Sequence, residues 1–218
     1  LTFTGDLYQR KTLDMYTLSV ELPDIFGAAS PKGNYADMTT KGFELSLAYK
    51  DKFELNNSPF NWSVKATLAD YRSMIDRYEN KTGLLQTDRY QEDRYYQGQR
   101  LGEIWGYVTQ GLFQNQAEID GAPKQNVIKS SNSGVIYPGD VRFADLNHDG
   151  VINYGSNTIY DHGDKTIIGN YEPRYIYSFN INMDWKNVYF STFFQGVGKQ
   201  DWYPSNESIF WGQYNRPY

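Results

Sequence analysis

The chain of 218 residues contains no cysteine and only two histidines, His148 and His162. Disulfides and thiolate metal sites are therefore excluded, and two histidines are too few for a usual zinc site. No serine sits in a G-x-S-x-G turn, and Gly196-Val197-Gly198-Lys199 lacks the spacing of a phosphate loop. With no arrangement for covalent chemistry, an enzyme is not expected. Charge of one sign is scarce too: 21 basic residues face 26 acidic ones for a formal charge of -5, and the basic ones are scattered. Nucleic acid is not an expected partner. Finally, no apolar run approaches the roughly 18 to 20 residues that a membrane helix needs. That excludes a helical span but not a membrane barrel, whose alternating strands leave only a weak hydropathy signal.

What is present is aromatic. The chain is polar on average, yet it carries 20 Tyr, 12 Phe and 5 Trp, a pairing that suits β-rich surfaces. Period-two alternation recurs along it. In 175 to 185, Tyr175, Tyr177, Phe179, Ile181, Met183 and Trp185 share one face, and Ser178, Asn180, Asn182 and Asp184 share the other. A second strand follows over 188 to 197 after only Lys186 and Asn187, as in a tight hairpin. Phe43, Leu45, Leu47 and Tyr49 form a third apolar stripe, Trp62, Val64, Ala66 and Leu68 a fourth, and a strand over 1 to 10 passes the same test.

The connections are unequal. A modest polar turn joins the strands near 39 to 50 and 60 to 74, whereas 11 to 38 and 77 to 172 are long. Connections beyond about 15 residues imply function or internal structure. Short turns on one rim and long loops on the other are the pattern of an outer-membrane barrel. One apolar face per strand also suits a soluble β-sandwich, in the form of a calcium-stabilised carbohydrate-binding module. The polar opposing faces and the aromatic ends of the apolar ones favour the membrane.

Four blocks carry a resemblance: ELPDIFGAASPKGNYADMTTKGFELSLAYKD (21 to 51), GEIWGYVTQGLFQ (102 to 114), GDVRFADLNHDGVIN (139 to 153) and DKTIIGNYEPRYIYSFNINMDWKNVYFSTFFQGVGKQDWYP (164 to 204). In order and across most of the chain, they resemble the late barrel region of SusC-like (SusC/RagA-type) TonB-dependent outer-membrane transporters. The resemblance implies an all-β fold, a fragment of a large antiparallel transmembrane β-barrel with long extracellular loops. The family's barrel has about 22 strands and is plugged. Only about five or six strands are expected in 1 to 218, and nothing here resembles the plug, the TonB-contacting segment or the closing strand. Starting at Leu1 without a leader, the chain is expected to be a piece of a longer protein whose remaining barrel and plug segments pair with it.

By that resemblance, the expected function is oligosaccharide import across the outer membrane, with peptides as the alternative cargo. A SusD-like surface lipoprotein is the expected lid, and TonB the expected energy source through the missing N-terminal region. Outer-membrane lipid would surround the wall.

One motif needs separate treatment. Asp145, Asn147, Asp149, Gly150 and the Val151 carbonyl fit the first half of a calcium loop, within the long loop 77 to 172. Position twelve is Ser156, which cannot supply a bidentate carboxylate. The family's acidic ending resembles Asp164, before Thr166-Ile167-Ile168-Gly169 and displaced by an insertion over 154 to 163. Asp164, or Asp161 in its place, is expected to complete a calcium site spanning 145 to 164, because a longer excursion costs only a slowly growing loop entropy. Magnesium is the weaker candidate, and an Asx-rich turn without metal is the competing reading. For sugar stacking, Trp105, Tyr107, Trp202, Tyr203 and Trp211 are the candidates, against girdle or packing roles for the same rings.

Overall fold

The computed structural model describes residues 1–18, 27, 32–80, 82–85, 95–127 and 135–202. Along the chain run β1 (Thr2–Leu18), β2 (Lys32–Leu55), β3 (Ser58–Tyr78), β4 (Glu103–Tyr107), β5 (Thr109–Leu112), α1 (Gln116–Asp120), β6 (Lys124–Gln125), β7 (Val141–Phe143), β8 (Val151–Ile152), β9 (Lys165–Asn170), β10 (Arg174–Trp185) and β11 (Val188–Lys199). Five of these form one antiparallel sheet in the order β1-β2-β3-β10-β11. The other six strands pair in twos: β4 with β9, β5 with β7, and β6 with β8, the last pair parallel. No helix among the described residues is long and apolar enough to cross a membrane, which leaves a barrel untouched.

All five expected strands are present, and three are longer than alternation indicates. β1 runs on to Leu18, β2 reaches down to Leu55, and β3 reaches up to Tyr78. Backbone pairing continues past the point where the clean alternation breaks, so the hydropathy pattern ends before the strand does. The expected modest turn between β2 and β3 is in fact two residues, Asn56 and Asn57, with φ of 48° and 53°. Asparagine tolerates that left-handed conformation, which matches the twist of the flanking strands. The β10–β11 turn at Lys186 and Asn187 is equally short, as expected.

Register makes the sheet two-faced. Leu45 lies between Gly5 and Leu68, which lies opposite Tyr177. One row lower, Phe3, Leu47, Ala66, Phe179 and Phe194 line up across all five strands. Below them come the rows Tyr49-Val64-Ile181 and Phe53-Phe60-Trp185-Val188. The alternate residues build the other face, for example Thr4-Ser46-Thr67-Ser178-Gln195, where the Thr67 and Ser178 hydroxyls lie 2.6 Å apart. One slip of register in any strand would exchange the faces, so the apolar rows hold the register.

The connection after β3 is not a bare loop. Its core contains Phe113 and Ile152, 1% and 0% exposed, with Leu85 and Ala144. Residues 98 to 101 pair along the upper half of β3, through Ile75 N–H to the Gln99 carbonyl at 2.9 Å and Leu101 N–H to the Ser73 carbonyl at 2.9 Å. The short helix α1 is opened by Asn115, whose side chain accepts from Glu118 N–H at 3.0 Å, while Glu118 accepts from Gln114 N–H at 3.1 Å. This reciprocal cap, N-x-x-E in sequence, marks a helix start that the strand pattern does not reveal.

Candidate functional site: a two-faced wall and its loop clasp

The apolar face of the sheet is open. Phe179 is 44% exposed, Met183 37% and Phe194 58%, and among the described residues no second sheet packs against them. A sandwich would bury these residues in a dry core. Here they form an uncovered band that starts at Phe53-Phe60-Trp185 and ends at Leu7-Phe43, after which the outward positions become Gln9, Lys41 and Arg72. From residue 43 to 53 the band climbs roughly 25 Å, at about 3.3 Å per residue and a tilt near 40°. That height matches the hydrocarbon band of an outer-membrane barrel.

Its lower edge is aromatic. Phe53 stacks on Phe60 with centroids 4.9 Å apart, Tyr49 tilts against Trp62 at 5.2 Å, and the Trp185 indole N–H donates to the Leu55 carbonyl at 3.1 Å. Rings with one wet end and one oily side sit favourably at a membrane interface. Both two-residue turns lie at this edge, and the loop module lies at the opposite rim.

At the upper rim, charged contacts tie the strands together. Arg174 makes a bidentate ion pair with Asp70, 104 residues earlier, and both side chains are buried. Such a pair needs its hydrogen bonds complete, and Tyr175 N–H adds one to Asp70 at 3.3 Å. Farther up, Arg77 on β3 holds Asp37 on β2 at 2.6 Å and Asp14 on β1 at 2.8 Å. The Arg77 guanidinium draws the Asp37 carboxyl down to about 2.

The segment expected to hold calcium is organised by hydrogen bonds between its own side chains and its backbone. Asp145 accepts from His148 N–H at 2.7 Å and Gly150 N–H at 2.9 Å, and Asp149 accepts from Val151 N–H at 2.8 Å. Asn147 accepts from Asp149 N–H at 3.0 Å and donates to its carboxylate at 3.0 Å. Gly150 has φ of +82°, so a side chain there would be strained. Asp164 does return across the insertion, and it is fully buried. Its two oxygens accept from Leu146 N–H at 2.8 Å and Asn153 N–H at 2.9 Å, fastening both ends of the loop. Among the described residues, no three acidic or histidine side chains gather as a metal cluster.

Asp161 is placed elsewhere. It accepts from the Ser156 hydroxyl at 2.6 Å and Ser156 N–H at 2.9 Å, which closes the insertion on itself and lowers its carboxyl pKa. The insertion has a role of its own that spacing alone does not disclose. Its buried Asn157 donates to the Leu85 carbonyl at 3.1 Å, takes a 2.8 Å bond from Lys165, and accepts at its carbonyl from Leu85 N–H at 2.9 Å. The extra residues thus anchor the chain that leaves β3.

Of the aromatic candidates, Trp105 and Tyr107 on β4 both pack inward. The Trp105 ring lies 5.4 Å from His162, and the Tyr107 ring lies 5.4 Å from Phe143. Burial pushes the Tyr107 hydroxyl up to about 12, with the Asp164 charge adding to the shift. Trp202 is 71% exposed. Tyr203 and Trp211 lie outside the described residues.

No family model matches the chain. Among curated proteins it is similar to three from Formosa agariphila: TonB-dependent receptor P3, 24% identical over 197 residues, TonB-dependent receptor P39, 25% over 203, and TonB-dependent receptor P26, 27% over 204. These alignments cover 84%, 84% and 87% of this chain but 18%, 19% and 18% of the relatives, so the chain spans about a fifth of their length. Among solved structures, its fold is similar to that of the RagAB peptide importer in the closed-closed state, with a TM-score of 0.55 and 17% identity over 89% of this chain and 19% of that one. A second structure, of the RagAB peptide transporter, gives 0.53 and 17% over 88% and 19%. The order of blocks, the two-faced sheet and these alignments agree: the chain is similar to about a fifth of a TonB-dependent receptor, and its fold is similar to that of a RagA-type barrel stretch.

Proposed function

We propose that this stretch forms part of the wall and the extracellular rim of an outer-membrane importer of oligosaccharides. The observation that carries the reading is the uncovered apolar band, roughly 25 Å tall, backed by a hydroxyl- and amide-rich face that suits a wet lumen. Its edge strands β1 and β11 each pair on one side only among the described residues, and the rest of the barrel would complete them. Energy would come from TonB, through a region outside this chain. A SusD-like lipoprotein would close the rim that carries the loop module. The relatives are named receptors, and no covalent step is needed for such a task.

Oligosaccharide is favoured as cargo by rings open to solvent on the rim side, among them Tyr137, Tyr154, Tyr160 and Trp202, each more than half exposed. Flat aromatic faces stack on sugar C–H faces, as Trp105 and Tyr107, already packed inward, are less free to do. The solved neighbours are named for peptides, but at 17% identity they speak for fold alone. Peptide import is therefore the second reading. Uptake of labelled oligosaccharides and of labelled peptides by cells carrying the full transporter, with and without TonB, separates the two. TonB-dependent sugar uptake is the expected result; peptide uptake alone would replace the cargo, and no uptake of either would contradict import.

Calcium is part of the same proposal. Asp145, Asn147, Asp149, the Val151 carbonyl and Asp164 would hold it, and an ion there would add charge compensation beside the buried Asp164 carboxylate. Magnesium demands a stricter octahedral shell and is the weaker choice.

A further inference from the structure

Directly above the apolar band, on the same outward face, the register sets Lys41 opposite Arg72, with Gln9 beside Lys41 on β1 and Lys11 one row higher. Like charges facing each other across a ladder oppose pairing. Neither cation has an ion-pair partner among the described residues, and all four side chains are exposed. The neighbouring carboxylates offset them only in part. Asp70 is bound by Arg174, and Glu172 is placed among Arg100 and Arg174. Arg100 adds a further cation, bridging to outward-facing Met74. Lys11, Lys41, Arg72, Arg100 and Arg174 against Asp70, Asp76 and Glu172 leave a local balance of 5 - 3 = +2.

We infer that this belt seats the phosphate group of a glycolipid in the outer leaflet, whose acyl chains lie on Leu7, Phe43 and Leu45 below. The inference rests on the membrane reading of the sheet, and it adds a specific lipid partner to it. Two properties point to a phosphorylated lipid and not to a protein. The cations stand at the edge of an apolar band of membrane height, and their paired geometry, roughly 5 Å between opposed Cβ atoms, suits a multivalent oxyanion that accepts from both. The belt is also on the loop-bearing rim, which in an outer-membrane barrel faces the outside. The periplasmic edge of the same face instead presents Asp51, between Phe53 and Tyr49.

The test uses the full transporter in detergent, incubated with bisphosphorylated lipid A or with the same lipid after phosphatase treatment, and analysed by native mass spectrometry. The phosphorylated lipid should stay bound to the wild type, and Lys41→Gln with Arg72→Gln should reduce its retention by roughly fivefold for each cation. Lys65→Gln, on the inner face, should leave retention unchanged; heat-modified migration on gels verifies that each variant is folded. Equal retention by wild type and the double variant, or equal retention of the phosphate-free lipid, overturns the seat while leaving the barrel intact. A wild type absent from the outer-membrane fraction overturns the membrane reading and the seat together.

Discussion

The Asp164 carboxylate accepts from Leu146 N–H at 2.8 Å across a gap of eighteen residues, with none of its surface exposed to solvent. A buried carboxylate satisfied by backbone donors is a clasp: if it is removed, two backbone N–H groups at the ends of the loop lose their partner. Charged hydrogen bonds of this kind contribute about 1.5 to 3 kcal/mol each. Asp164→Ala should therefore open the 145 to 164 segment to limited proteolysis, whereas Asp161→Ala should loosen only the insertion. Calcium should protect the wild-type segment and a chelator should expose it; cleavage rates indifferent to calcium would remove the metal from the account.

The Arg77 clasp makes a pH prediction. Asp37 titrates near 2 in the fold against 3.8 when free, with the Arg77 hydrogen bond as the largest cause. A lowered carboxylate pKa contributes stability that is present above about 3.8 and is lost as the pH falls through about 2. Carboxyl-carbon NMR of labelled aspartate should show one late-titrating resonance, and Arg77→Ala should return it to the ordinary range. The rim ends of β1, β2 and β3 should then exchange amide hydrogens faster.

Gly196 sits directly opposite Tyr177 on the outward face, and a Cβ added there would lie 2.5 Å from the tyrosine ring. The ring thus covers a strand glycine, a device that offsets the weakness of glycine in a sheet. Gly196→Val should displace the ring and destabilise the barrel by about 1 to 3 kcal/mol if overpacking dominates, seen as a lower urea midpoint for unfolding. Gly198→Val, which is not beneath a ring in the same way, provides the comparison.

Faces can also be tested by charge. Phe179→Arg would place a cation near mid-band on the lipid side, where the cost is about 2 to 4 kcal/mol. Ser178→Arg, one residue away, would point into the lumen and should cost little. Refolding yields into vesicles should differ accordingly.

The wall was legible because alternation in Tyr177 to Trp185 and Phe43 to Tyr49 reports directly which side meets lipid. Strand ends were not legible, since beyond Lys41 and Arg72 the apolar and polar residues no longer alternate cleanly while the backbone ladder continues. The loop module was the least legible part. Its core depends on contacts such as Asn157 with Leu85, 72 residues apart, and on the long-range Gln125 bonds to Val141 and Phe143, neither of which leaves a local period. Asp164 was identified as the returning acid, but its backbone partners depend on tertiary placement that spacing cannot supply.

Because this stretch contains no native cysteine, single cysteines can be scanned from 178 to 183 in the full transporter, on a background free of cysteine elsewhere, and labelled with a fluorophore. A lipid-borne quencher should extinguish labels at 179, 181 and 183, and a water-soluble quencher those at 178, 180 and 182. Labels at 179, 181 and 183 shielded from the lipid quencher would place those residues in a protein core and contradict the barrel wall.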